Sequence, residues 1–99
     1  MLLIMGTVRI DPAKLAEARP AIETVITATR AEDGCISYAF AQDLLDRGLI
    51  RISEAWRDGD ALKAHAASPH MAVWREAYAS FGITERNLKV HQADEGRAL

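Results

Sequence analysis

The sequence is short of cysteine, because Cys35 is the only one among its 99 residues. A single thiol excludes an internal disulfide framework and points to a reducing compartment. No stretch approaches the roughly 20 apolar residues that a membrane-spanning helix needs, and residues 1–5 are apolar without the basic residues of a signal peptide. We therefore expect a cytoplasmic protein that has no membrane partner.

An excess of basic charge is also lacking. The 12 lysine and arginine residues are outnumbered by 14 acidic ones, and no basic stripe is visible, so we expect no nucleic-acid partner. Glycine-rich phosphate loops, Ser-His-Asp elbows and dinucleotide fingerprints are absent, which leaves no visible means of holding a nicotinamide, a flavin or ATP. The length is enough for a single domain over residues 1–99, with a core at about 2–93 and a polar tail at 94–99.

What is present is a regular alternation of strand and helix patterns. Strands are predicted at 2–10, 35–41, 49–57 and within 83–93, and helices are predicted between the first and second strands and between the third and fourth. Asp11-Pro12 and Ser68-Pro69 each combine a capping side chain with a proline suited to the first helical position. In the second strand, Ile36, Tyr38 and Phe40 are predicted to share one face and Cys35 to lie on the other.

The resulting order, β-α-β-β-α-β, predicts a ferredoxin-like α+β sandwich with helices on one face of a four-stranded antiparallel sheet. The other face then has no cover, and a chain of this length has no second layer to supply one. We therefore expect a homodimer in which two sheets pack together. The sequence does not decide whether the set containing Leu49, Arg51 and Ser53 or the set containing Ile50 and Ile52 is the open face.

Three candidate site residues fall close together in the third strand and the helix that follows it. Glu54 is either a rim carboxylate paired with an arginine (Arg51, Arg57 or Arg86) or a pocket carboxylate whose pKa is raised by desolvation. His65 is either a satisfied helix residue or a general base or oxyanion donor. Trp56 is either a core residue or a stacking platform for an aromatic ligand. A fourth candidate, Trp74, lies after Ser68-Pro69 and is either a core residue or part of a pocket wall.

A metal site is not expected from the histidine spacing. His65 and His70 lie five residues apart across a helix break, whereas two histidines on one helix face are separated by four. We therefore predict neither a metal nor any other cofactor.

The chain resembles the antibiotic biosynthesis monooxygenase family, which includes small quinol monooxygenases. The resemblance covers about residues 2–93 and depends on three stretches in order: Ala31-Glu-Asp-Gly34-Cys35-Ile-Ser-Tyr38, Glu54-Ala-Trp56 and His65-Ala-Ala-Ser68-Pro69-His70. It implies a homodimeric barrel and a reaction of O₂ with a small aromatic quinol or phenol without a metal or prosthetic group. Haem-degrading members differ, because Thr7 stands where they have asparagine and Arg75 is near the place of their haem-ligating histidine.

The resemblance also suggests roles for the candidate residues. His65 would be the base or oxyanion donor, and Glu54 would orient His65 or take the proton itself. Trp56, Tyr38 and Trp74 would bind substrate by forming the pocket. Two alternatives stay open: an isomerase or lyase that uses the same acid–base pair, and a dimeric ligand-binding module without catalysis.

Overall fold

Four strands and three helices make up the computed structural model, which describes all of residues 1–99. The elements are β1 (Leu2–Arg9), α1 (Leu15–Arg30), β2 (Cys35–Gln42), β3 (Leu49–Trp56), α2 (Gly59–Ala66), α3 (Pro69–Ala77) and β4 (Thr84–Gln92), with short 3₁₀ turns at Pro12–Lys14 and Ala79–Phe81. The strands form one sheet in the order β2-β3-β1-β4, and every neighbouring pair is antiparallel. This is the predicted ferredoxin-like arrangement, with the second helical layer divided into α2 and α3. No helix has the length and apolar character needed to span a membrane.

The helix starts follow the local capping signals. The Asp58 side chain accepts a hydrogen bond from the Ala61 N–H at the start of α2, and Ser68 caps α3 by accepting from the Met71 N–H. Each cap satisfies a backbone donor that the first turn of a helix leaves free. Pro20 lies inside α1 without ending it.

The helices cover one face of the sheet, and the core lies between the two layers. Ile50, Ile52, Glu54 and Trp56 of β3 all point into this core and are buried. The open face therefore carries the alternate set, which begins with Leu49 and Arg51. The structure thus decides the question that the sequence left open.

The predicted facing of β2 is wrong at its first two residues. Cys35 pairs with Trp56 and Ser37 with Ala55, so the extra residue Ile36 forms a bulge in the ladder. Since residues directly opposite each other share a face, Cys35 lies with the core residue Trp56, and Ile36 is exposed. Strict alternation failed here because a bulge inserts one residue without a partner.

Candidate active site

A small apolar cavity lies between the helices and the centre of the sheet. Its volume is about 40 Å³, and 12 of its 14 lining residues are hydrophobic. The two charged residues in its wall are Glu54 from β3 and Arg86 from β4. An apolar cavity with a few converging polar groups is the usual form of a small-molecule site.

Glu54 is the buried acid of this cavity, with only 7% of its surface exposed. Its Oε1 accepts a hydrogen bond of 2.9 Å from the Trp56 indole N–H. Burial raises the pKa of the Glu54 carboxyl above its ordinary value, although the Trp56 hydrogen bond and the electrostatic influence of His65 and Arg86 oppose that rise. A carboxylate shifted in this direction is better suited to accept a proton near neutral pH.

Tyr38 and Trp74, both predicted to bind substrate, lie in the cavity wall. Burial raises the pKa of the Tyr38 hydroxyl, which therefore stays protonated and available as a donor. The Trp74 ring meets Tyr78 edge-on at a centroid distance of 5.5 Å. Their positions fit a binding wall, and their part in binding stays a prediction.

Trp56 and His65 lie behind the cavity and do not line it. Trp56 is fully buried, and the His65 ring packs on it at a centroid distance of 4.6 Å. His65 Nδ1 is 2.7 Å from Glu32 Oε2. Glu54 and His65 therefore do not pair with each other as expected. His65 instead hydrogen-bonds Glu32, and Glu54 accepts its hydrogen bond from Trp56.

Sequence reasoning missed Glu32 altogether. It considered His70 only as a metal ligand and Arg86 only as one of three arginines that could pair with Glu54 at the rim. Glu32, in the loop between α1 and β2, also reaches His70 Nε2 at 2.9 Å. The spacing argument considered only two histidines on one helix, whereas this cluster joins a loop and two helices. The Ser68-Pro69 break between the histidines is the one sequence signal that could have indicated a change of direction at this point.

Comparison with known proteins defines the class of this chain. The antibiotic biosynthesis monooxygenase family matches residues 1–77, so the chain belongs to this family. The crystal structure of a "putative antibiotic biosynthesis monooxygenase" from Deinococcus radiodurans superposes with a TM-score of 0.90 at 27% identity, covering 100% of this chain and 98% of that one. The structure of Rv0793 from Mycobacterium tuberculosis gives a TM-score of 0.77 at 27% identity, covering 99% and 98% of the two chains.

Two curated relatives are also similar in sequence. Protein sll1783 of Synechocystis, described as uncharacterized, is 26% identical over 98 residues, which is 99% of this chain and 67% of the relative. The "putative monooxygenase Rv0793" is 38% identical over 64 residues, 65% of this chain and 62% of the relative. The matches thus span about two thirds of the length of these relatives.

Proposed function

We propose that this chain is a cofactor-independent monooxygenase that oxidises a small aromatic phenol or quinol with O₂. Its membership of the antibiotic biosynthesis monooxygenase family supports the reaction class. The observation that carries the proposal further is the Glu54 carboxylate, which is buried in the wall of an apolar cavity and has a raised pKa.

Glu54 is the proposed general base. The Trp56 N–H holds Oε1, and no protein donor is bound to Oε2, which leaves that oxygen for the hydroxyl proton of the substrate. Removing this proton gives a phenolate, which is electron-rich enough to reduce O₂ directly. The Arg86 guanidinium at the cavity wall would stabilise the anion as it forms.

The overall reaction balances without another reductant. One oxygen atom of O₂ becomes a ring carbonyl and the other leaves as water, taking one hydrogen from a ring carbon and one from the hydroxyl. A phenol thus becomes a quinone, and its four-electron oxidation matches the four-electron reduction of O₂. The protein contributes the base, the anion-stabilising charge and the exclusion of water.

The cavity must widen to receive such a substrate. Its volume of about 40 Å³ is well below the roughly 150 Å³ of an engineered cavity that binds benzene. Trp74 and Tyr78 are the aromatic wall residues on the helical side, and Tyr78 is only half-buried. We therefore propose that movement of the Tyr78 side chain admits the ring.

The test is oxygen uptake by purified protein against hydroquinones and polycyclic phenols. Glu54→Gln keeps an acceptor for the Trp56 N–H but cannot take a proton, so we expect uptake to fall by about 10²-fold or more. The exposed Glu76→Gln on α3 is the matched control and should retain full uptake. His65→Ala should have the smaller effect, because His65 does not line the cavity.

Other outcomes separate the alternatives. Uptake that survives Glu54→Gln but is lost in His65→Ala would return the role of base to His65. Turnover that continues under strict anaerobiosis would indicate an isomerase or lyase. Thermal stabilisation by the phenols without any chemical change would indicate a binding module.

A further inference from the structure

A cluster of titratable side chains lies outside the cavity, where three segments of the chain meet. Glu32 comes from the loop after α1, His65 from the end of α2 and His70 from the first turn of α3. His65 Nδ1 and His70 Nε2 approach the same oxygen, Glu32 Oε2, at 2.7 and 2.9 Å. The three candidate ligand atoms all lie within 4.8 Å of one another. None of the three residues lines the cavity that contains Glu54.

Two imidazoles and one carboxylate are the protein ligands of open zinc sites and of non-haem iron sites. We propose that Glu32, His65 and His70 bind a divalent transition-metal ion, with water in the remaining coordination positions. A tetrahedral ion at about 2.0–2.1 Å from each ligand would hold them about 3.3 Å apart. The two distances to Glu32 Oε2 therefore need to lengthen by about half an ångström from 2.7 and 2.9 Å, and the two imidazole nitrogens already lie within 4.8 Å of each other.

The surroundings of the cluster favour a cation. No lysine or arginine forms an ion pair with Glu32, whose only ion-pair partners are the two histidines. The side chains of His65, Glu32 and His70 are 5%, 15% and 20% exposed, so an ion can enter from the Glu32 and His70 side. A charge at this depth is poorly screened by solvent, which strengthens the attraction of the carboxylate for a cation.

The backbone around the cluster is fixed independently of any ion. The Ser68 hydroxyl donates to the His65 carbonyl at 2.7 Å and caps α3, and Pro69 occupies the first position of that helix. This turn directs His70 back towards Glu32. The fold therefore already orders much of the three-ligand site, and less of the free energy of metal binding is spent on ordering the ligands.

The expected affinity is moderate. The second ring nitrogens of His65 and His70 have no hydrogen-bond partner in the protein. Loss of such supporting bonds lowers metal affinity by about 10–100-fold. We therefore expect Zn²⁺ to bind with a Kd in the micromolar range.

The experiment is isothermal titration of the full chain with Zn²⁺, together with visible absorption after addition of Co²⁺. We expect one ion per chain and d–d bands from a nitrogen–oxygen site. His70→Ala and Glu32→Gln should each weaken binding by about tenfold or more. His91→Ala is the matched control, since His91 is the third histidine of the chain and lies exposed on β4, and it should leave binding unchanged.

Three results would overturn the proposal: no binding of Zn²⁺ at micromolar concentrations, binding unaffected by both ligand variants, or binding lost in His91→Ala. Circular dichroism of each variant shows whether it is folded. Glu32→Gln keeps the size of the side chain and one acceptor oxygen, so it supplies a folded test even if His70→Ala is unstable. Zn²⁺ should also raise the Tm of the wild-type chain more than that of Glu32→Gln.

Discussion

Glu54 is the residue at which burial and solvation oppose each other most directly. It occupies a core position on β3 between Ile52 and Trp56, where an apolar side chain would normally lie. Its ionised form gains a hydrogen bond from Trp56 but loses most of its water, and burial is the larger effect on its pKa. A charge kept in such a position at a cost in stability is typical of functional sites.

The stability cost of Glu54 should depend on pH. Its folded-state pKa lies above the ordinary value of 4.5, so between these values the folded chain holds a proton that the unfolded chain has lost. Stability then falls as pH rises through this window and stays lower above it. Glu54→Gln removes the ionisation, so its stability relative to the wild type should increase from pH 4 to pH 7. Urea denaturation at several pH values measures this.

The control for that measurement is Glu76→Gln, which changes an exposed carboxylate of α3. Its stability relative to the wild type should show no such rise with pH, because the exposed Glu76 side chain is solvated in the folded chain as it is in the unfolded one. A constant difference between Glu54→Gln and the wild type would contradict a burial-raised pKa.

Gly6 is the residue at which the sheet tolerates no side chain. Its φ is +153°, and a Cβ added there would lie 1.9 Å from the Asn87 carbonyl oxygen on the neighbouring strand. Gly6→Ala should therefore disrupt the pairing of β1 with β4 and destabilise the chain by about 4 kcal/mol or more.

At Gly59, the first residue of α2, an added Cβ has no neighbour within 4 Å. Gly59→Ala should instead stabilise the chain by about 0.4–1 kcal/mol. Thermal unfolding measures both effects, and equal shifts of Tm in Gly6→Ala and Gly59→Ala would contradict these two predictions.

At the scale of elements, local signals in the sequence predict most of the fold. The strand patterns, the Ser68-Pro69 helix start and the order β-α-β-β-α-β match the structure. Asp11-Pro12 starts the 3₁₀ turn Pro12–Lys14, and α1 begins after it. What they do not predict is the bulge at Ile36, because a single extra residue leaves the composition of the strand unchanged. Cys35 was consequently assigned to the wrong face.

The candidate site was predictable only in the parts that lie on one element. The shared face of Glu54 and Trp56 follows from the two-residue period of β3, and the two are indeed in contact. The partner of His65 was not predictable in this way, because Glu32 is 33 residues away along the chain. Arg86 likewise reaches the cavity through the pairing of β4 with β1, which no local pattern specifies.

The turn between α2 and α3 offers a test of a single element. The Ser68 hydroxyl bonds the His65 carbonyl and caps the Met71 N–H. Ser68→Ala should lower the free energy of unfolding by about 1 kcal/mol, as for other helix caps. Ser80→Ala is the matched control, since Ser80 is exposed in the Ala79–Phe81 turn, and should change it by less than about 0.5 kcal/mol. Urea denaturation compares the two, and a Ser68→Ala variant as stable as Ser80→Ala would show that the cap contributes nothing.

At the scale of the whole molecule, one face of the sheet carries no helices. The shortest dimension of the chain is 19 Å, which fits one sheet and one helical layer. The open face of the sheet carries Met5 at its centre, 55% exposed and opposite the small residue Ser53. Small and apolar residues at the centre of a sheet allow a second sheet to approach closely.

We therefore predict that two copies of the chain pair through this face. Sedimentation velocity at micromolar concentration should give the mass of a dimer for the wild type. Met5→Lys should instead give the mass of a monomer, because a lysine at this position would bring two charges together at the centre of the interface.

Val73→Lys is the matched control: Val73 is also apolar and 67% exposed, but it lies on α3, on the helical side of the molecule. It should leave the dimer intact. A wild type that sediments as a monomer would contradict the prediction, and a dimer lost only in Val73→Lys would move the interface to the helices.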